Sequence, residues 1–62
     1  MANPLAALAP DFSKLTEING DIVLSGILNR QAQKVRATYM NQGFRFIHKI
    51  TDGEWTSLHM KR

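Results

Sequence analysis

The stretch Asp21-Ile22-Val23-Leu24-Ser25-Gly26-Ile27 decides the fold class of this chain. Ile22, Val23 and Leu24 are consecutive, so an extended backbone would direct apolar side chains to both faces of a sheet. Strands with two apolar faces are typical of the interior of α/β sheets, where both faces are covered. We therefore expect an α/β fold in which this segment is an interior strand, of the kind that is typically parallel and covered on both faces.

A helix is predicted before this strand. Asn3-Pro4 is a typical helix start, because asparagine caps free N–H groups and proline loses no hydrogen bond at the first helical position. An apolar stripe with helical spacing follows: Leu5, Leu8, Phe12 and Leu15. Pro10 interrupts this stripe, so we expect a kink or break after Leu8. Asn19-Gly20 then predicts a turn.

A second helix is predicted after the strand. Asn29 is a suitable N-cap for it, and Gly43 is suited to the left-handed conformation that ends many helices. Ala32, Val35 and Tyr39 recur one helical turn apart and form its expected inner stripe.

A hairpin is predicted at the end of the sequence. Asp52-Gly53 separates two strand-like segments, 44–51 and 54–60, and an Asp-Gly loop of two residues is a strong signal for an antiparallel hairpin. Such a loop also fixes the register of the two strands. The predicted register pairs Ile50 with Trp55, His48 with Ser57, Ile47 with Leu58, and Phe46 with His59.

The predicted order is therefore helix, strand, helix, strand, strand, in a single domain over residues 1–62. The second helix is long enough for a right-handed crossover, which makes the first two strands parallel. This arrangement leaves one edge of the apolar strand 22–24 unpaired, and exposed edges of that kind favour aggregation. We therefore expect more sheet on that side, or self-association through the edge.

Composition excludes several classes of protein. The chain has no cysteine, which excludes disulfides, thiolate metal sites and cysteine catalysis. A small domain without disulfides is more typical of the cytoplasm than of the cell exterior. No apolar run approaches the roughly 18 residues of a membrane span, and the histidine spacing matches no metal-binding motif. The net charge of +3 is a weak indication of an anionic partner such as RNA, although it is also ordinary for a soluble surface.

Strand directions indicate where a ligand could bind. Ligands of open α/β sheets bind outside the carboxyl ends of the parallel strands. In the predicted topology that edge contains the end of the first strand, the hairpin turn and the start of the first helix. The candidate residues at this edge are Asn3, Ser25, Gly26, Leu28, Glu54 and Trp55.

Each candidate also has a purely structural interpretation. Asn3 could serve only as a helix cap, and Ser25 and Gly26 could serve only close packing. Trp55 could line a substrate pocket or could simply form a cross-strand pair. Glu54 is consistent with a solvated residue beside a turn. No carboxylate is spaced to act with His48 or His59, so catalysis by histidine is not expected.

Short segments along the chain resemble the final part of the bacterial PrmA family, the ribosomal protein L11 methyltransferases. The resembling segments are Ala2-Asn3-Pro4-Leu5, Leu8-Ala9-Pro10, Leu24-Ser25-Gly26-Ile27-Leu28, Gln31-Ala32, Tyr39, Gly43-Phe44 and Gly53-Glu54-Trp55. The resemblance implies a Rossmann-like class I methyltransferase fold, in which the strand at 21–27 is the fifth of seven. It implies that the hairpin supplies strands six and seven, with strand seven antiparallel between strands five and six.

The resemblance also implies a function. Members of this family transfer methyl groups from S-adenosylmethionine to amino groups of a large-subunit ribosomal protein, on lysine side chains and at the N-terminus. The tryptophan that matches Trp55 lines the active-site region in the family.

The family's parts that hold the cofactor are expected to precede this segment: a glycine-rich loop, an acidic ribose-binding residue and an Asn-Ile-Leu motif. We therefore assign no catalytic or cofactor-binding residue to these 62 residues and expect no appreciable S-adenosylmethionine binding by this chain alone. The alternative hypothesis is a small stand-alone α/β module that binds RNA or a protein partner, or that oligomerises.

Overall fold

The computed structural model describes residues 4–62 and contains two helices and three strands in these residues. The elements are α1 (Pro4–Leu15), β1 (Asp21–Leu28), α2 (Asn29–Asn41), β2 (Arg45–Asp52) and β3 (Trp55–Lys61). The predicted order of helices and strands is confirmed. The predicted helix cap at Asn3 lies outside the described residues.

The three strands form one sheet in the order β1-β3-β2. β3 is the central strand and is antiparallel to both of its neighbours. β1 and β2 consequently run in the same direction without being hydrogen-bonded to each other. The insertion of the last strand between the other two agrees with the arrangement that the resemblance implies. Among the described residues β1 has a neighbour on one side only, and Val23 is 68% exposed.

The predicted hairpin is confirmed, but its predicted register is wrong by two residues. Asp52 is opposite Trp55 and Ile50 is opposite Ser57, so the two-residue loop is Gly53-Glu54 and not Asp52-Gly53. Gly53 has a φ of 58°, and a type II′ hairpin turn needs a positive φ at its first loop position. The glycine therefore occupies the first loop position, and Asp52 becomes the last residue of β2.

The core lies between the sheet and the helices, mainly under α2. The inner stripe predicted for this helix, Ala32, Val35 and Tyr39, is buried as expected. Its neighbours in the core are Ala9, Leu24, Ile27, Phe44, Leu58 and Met60. α2 therefore connects the three strands to the first helix.

Tyr39 connects α2 to α1 through a partly buried hydrogen bond. Its side chain is fully buried, and its hydroxyl donates a hydrogen bond of 2.8 Å to the backbone carbonyl of Leu5. The rings of Phe12 and Phe44 lie beside it, with centroids 6.1 and 5.6 Å away, within the range of favourable aromatic pairs. Burial raises the pKa of the Tyr39 phenol above its usual value.

Of the predicted kink or break after Leu8, the break is wrong, because α1 runs from Pro4 to Leu15 with Pro10 inside it. The inner residue in this turn is Ala9, which is fully buried, whereas Leu8 is 42% exposed and Leu15 is 80% exposed. A small side chain at position 9 lets the helix approach the core closely. Proline removes only one hydrogen bond of the helix, and the packing of Ala9 on one side of it and of Phe12 on the other holds both halves of the helix in place.

Asn29 does not cap α2, contrary to the prediction. The N-cap residue is Leu28, whose extended backbone has φ −65° and ψ 141°. Asn29 is the first helical residue and makes three hydrogen bonds to the hairpin. Its backbone N–H donates to the Glu54 carbonyl at 2.9 Å, and its Nδ2 donates to the Gly53 carbonyl at 2.9 Å. Its Oδ1 accepts from the Thr56 hydroxyl at 2.6 Å. Asn29 thus joins the start of α2 to the β2–β3 turn.

Substitution of Asn29 tests this junction. The Thr56 side chain is only 2% exposed, so Asn29→Ala leaves a buried hydroxyl without its acceptor. We expect a loss of about 1–3 kcal/mol in the free energy of unfolding, measured by urea denaturation. Asn41→Ala, at the exposed end of the same helix, is the matched control and should change stability little. Equal effects of the two substitutions would contradict the role assigned to Asn29.

Candidate functional site at the end of β1

The carboxyl end of β1 lies directly against the start of β3. Leu28 is opposite Trp55, and Ile27 is opposite Thr56. Two of the candidate residues predicted from sequence, Leu28 and Trp55, are therefore neighbours. Ser25 lies farther along β1, where its hydroxyl accepts a hydrogen bond of 3.2 Å from the Ser57 hydroxyl. Another candidate, Asn3, lies outside the described residues.

Gly26 forms a bulge that aligns the end of β1. The strand register shifts between Leu24 and Ile27, and Gly26 has a φ of +74°, a conformation that side-chain-bearing residues rarely adopt. Leu24 and Ile27 are three residues apart, yet both are buried. Regular alternation would place them on opposite faces, so the extra residue keeps Ile27 in the core and brings Leu28 beside Trp55.

The interpretation that Gly26 serves close packing is wrong. A Cβ atom placed on Gly26 would meet no other atom within 4 Å, so the surrounding space is open. The glycine is required by the backbone conformation of the bulge and not by crowding. Ser25 and Gly26 are both exposed at this edge, and a ligand could approach the backbone there.

Trp55 lies on the face of the sheet that the helices leave uncovered. Along β3, Thr56, Leu58 and Met60 are buried, and Trp55, Ser57 and His59 alternate with them. Trp55 is 50% exposed, and its cross-strand neighbours are Leu28 and Asp52, not Ile50 as predicted. Its ring is therefore an accessible apolar surface at the edge where parallel strands β1 and β2 end.

A polar cluster occupies the other end of the same face. His48 is opposite His59, a pairing that the predicted register did not contain. The His59 Nε2 atom is 2.9 Å from an Asp21 carboxylate oxygen, and the Lys61 ammonium is 3.7 Å from the same oxygen. The hydrogen bond with His59 is the main reason that the pKa of Asp21 lies below its usual value. The cluster is exposed and links the start of β1 to the end of β3.

Residues 4–62 contain neither a candidate metal site nor a candidate membrane-spanning helix. No group of three or more histidine, aspartate or glutamate side chains in this range is arranged to hold a metal ion. No helix in the same range is long and apolar enough to cross a membrane.

Comparison with known proteins identifies the family. A family model described as "Ribosomal protein L11 methyltransferase (PrmA)" matches residues 1–62. A ribosomal protein L11 methyltransferase from Chelativorans sp. (strain BNC1) is 42% identical over 62 residues, which are 100% of this chain and 21% of that protein. The corresponding protein from Hydrogenovibrio crunogenus is 43% identical over 58 residues, 94% of this chain and 20% of that protein.

The chain spans about a fifth of the length of the curated relatives that it matches. Because the family model covers every residue of the chain, the resemblance noted in the sequence extends from end to end. This chain belongs to the ribosomal protein L11 methyltransferase (PrmA) family.

Proposed function

We propose that this chain is part of a cytoplasmic S-adenosylmethionine-dependent methyltransferase that modifies amino groups of a large-subunit ribosomal protein. The amino groups are lysine side chains and the N-terminus. The observation that carries the proposal is the match of the whole chain, residues 1–62, to the PrmA family. The relatives' names supply the substrate, ribosomal protein L11.

Within such an enzyme, we assign to this segment one wall of the substrate pocket. Trp55 and Leu28 form its apolar part, and the Gly26 bulge sets the position of Leu28. Methyl transfer to an amine requires an uncharged nitrogen held in line with the methyl group, so positioning and exclusion of water are the main contributions expected from the protein. A tryptophan ring against a leucine side chain can exclude water from one side of the amine.

We do not expect the residues at this edge to form a complete cofactor site. The Ser25 hydroxyl already accepts a hydrogen bond from Ser57, Leu28 offers apolar contact only, and Trp55 adds a single indole N–H donor. A nucleoside cofactor needs hydrogen-bonding partners for its ribose and its base, and we expect other parts of the enzyme to supply them. We therefore assign no catalytic residue to this chain and expect the isolated chain to be inactive.

The exposed apolar residues of the uncovered face support the view that further structure belongs against this segment. Val23 is 68% exposed, Ile50 is 60% exposed and Trp55 is 50% exposed, all on the same face of the sheet. An exposed apolar face next to a free strand edge is a poor surface for an isolated monomer. A stand-alone module, the alternative hypothesis, would have to cover this surface by self-association.

S-Adenosylmethionine binding tests the proposal that this chain supplies a wall of the substrate pocket and does not hold the cofactor. Titration calorimetry of the 62-residue chain with S-adenosylmethionine should show no appreciable heat of binding, whereas the complete Chelativorans relative should bind it. Circular dichroism in the same buffer establishes that the short chain is folded during the measurement. Micromolar binding by the short chain would contradict the proposal that it supplies only one wall.

The role of Trp55 is testable in a chimera. This chain would replace the matching fifth of the Chelativorans relative, to which it is 42% identical over 62 residues. Trp55→Ala should lower kcat/KM on the order of 10- to 100-fold, because a mispositioned amine reacts slowly. Trp55→Phe should retain most of the activity, and cofactor affinity should be unchanged in both variants.

Val23→Ala is the matched control for the Trp55 variants. Val23 lies on the same face as Trp55 but is opposite His59, away from the end of β1. The proposal predicts near-normal activity for this variant. An equal loss of kcat/KM in the Val23 and Trp55 variants would show that the face is structural and that Trp55 has no specific role.

A further inference from the structure

The charges of this chain are strongly segregated along the sequence. Residues 29–51 contain five of the eight basic residues and none of the five acidic residues, which is a formal charge of +5. The remainder contains three basic and five acidic residues, a formal charge of −2, which gives the net charge of +3. The range 29–51 comprises α2 and nearly all of β2. These five basic residues therefore belong to two adjacent elements.

A groove of about 550 Å³ separates α2 from the outer part of β2. Its lining residues come from α2 and from the two strands beneath: Asn29, Ala32, Gln33, Arg36, Ala37, Lys49 and Leu58. None of these lining residues is acidic. β2 is an edge strand of the described sheet, so the groove opens at the side of the domain.

Two cationic side chains line this groove, Arg36 from α2 and Lys49 from β2. The Arg36 guanidinium carbon lies 3.7 Å from the centroid of the Phe46 ring, and this cation–π contact holds the side chain in place. Lys49 lies on β2 opposite Leu58, on the side of the sheet that carries the helices. A planar guanidinium in a fixed position and a nearby ammonium are well suited to a phosphate group.

Two further basic residues flank the groove. Positions 30, 33, 34 and 37 are separated by three, four or seven residues, apart from the adjacent pair 33 and 34. Arg30, Gln33, Lys34 and Ala37 therefore form one stripe of α2. Gln33 and Ala37 line the groove, and Arg30 and Lys34 are exposed beside them. The fifth basic residue, Arg45, is opposite Lys61 on the other face of the sheet.

We propose that the α2–β2 groove binds the phosphate backbone of a nucleic-acid strand. Two cationic side chains, Arg36 and Lys49, line the groove together with the Gln33 amide, and Arg30 and Lys34 are exposed on the neighbouring stripe of α2. Contacts between cationic side chains and phosphate groups are the usual basis of sequence-independent nucleic-acid binding. The inference concerns this chain's own surface and does not depend on the methyltransferase proposal.

An acidic peptide fits this groove less well than a nucleic-acid strand. Peptide recognition depends on apolar or aromatic anchors that become buried in the centre of the contact. The apolar lining here consists of two alanines and Leu58, which is 1% exposed and already part of the core. The nearby Phe46 ring is covered by Arg36. Charge is therefore the main attraction that the groove offers.

The experiment compares two double variants of equal charge. Lys34→Gln with Lys49→Gln removes one cation that flanks the groove and one that lines it, and Lys14→Gln with Arg45→Gln removes two exposed cations elsewhere. Each double variant lowers the net charge of +3 by two. Binding to a fluorescein-labelled ten-nucleotide uridine RNA is measured by fluorescence anisotropy over a range of NaCl concentrations. The groove variant should bind more weakly, and the slope of log affinity against log salt should fall by about 1.4, or about 0.7 for each lost phosphate contact. The control variant should keep the slope of the unmodified chain.

Several outcomes would overturn the proposal. These are an equal loss of affinity in both double variants, no binding of the RNA by the unmodified chain, or equally tight binding of a polyglutamate peptide of the same charge. Should the groove variant fail to fold by circular dichroism, NMR shift changes on adding the RNA to the unmodified chain replace it. Shifts centred on Gln33, Arg36 and Lys49 support the groove, and shifts centred elsewhere contradict it.

Discussion

The junction at Asn29 is the interaction on which the arrangement of this segment depends. Three hydrogen bonds connect this residue to Gly53, Glu54 and Thr56, and they join the point where β1 becomes α2 to the turn where β2 becomes β3. Because β3 lies between β1 and β2, this one junction fixes the end of all three strands relative to the helix. It also holds Leu28, the preceding residue, beside Trp55.

α2 serves three purposes with three parts of its surface. Its inner stripe, Ala32, Val35 and Tyr39, forms the centre of the core. Its first residue is bound to the hairpin turn, and its flank with Arg36 forms one side of the basic groove. The proposed substrate wall and the proposed nucleic-acid groove therefore lie on opposite faces of the sheet, since Trp55 is on the uncovered face. A substitution at one of them should leave the other intact.

Periodicity and strand direction predicted the order of the helices and strands and the buried stripe of α2. The predictions failed where two residues, or two loop positions, fitted the same spacing. The stripe containing Tyr39 was correct because only one helical face of α2 is apolar. In α1, Leu8 and Ala9 fit the spacing equally well, and only the packing in the core selects the smaller residue. Both Asp52-Gly53 and Gly53-Glu54 are acceptable two-residue loops, and the position of the positive φ decides between them. Gly26 was identified as a special position, but the bulge it forms is visible only in the strand register.

The central claim is that the hairpin register and the Asn29 junction place Trp55 beside Leu28 at the end of β1. Nuclear Overhauser spectroscopy of the labelled chain tests it most directly. The structure predicts cross-strand contacts of Trp55 with Leu28 and with Asp52, together with contacts between the Asn29 side-chain amide and Gly53. Contacts of Trp55 with Ile50, as the Asp52-Gly53 loop would give, and no contact between Asn29 and the turn would contradict the account.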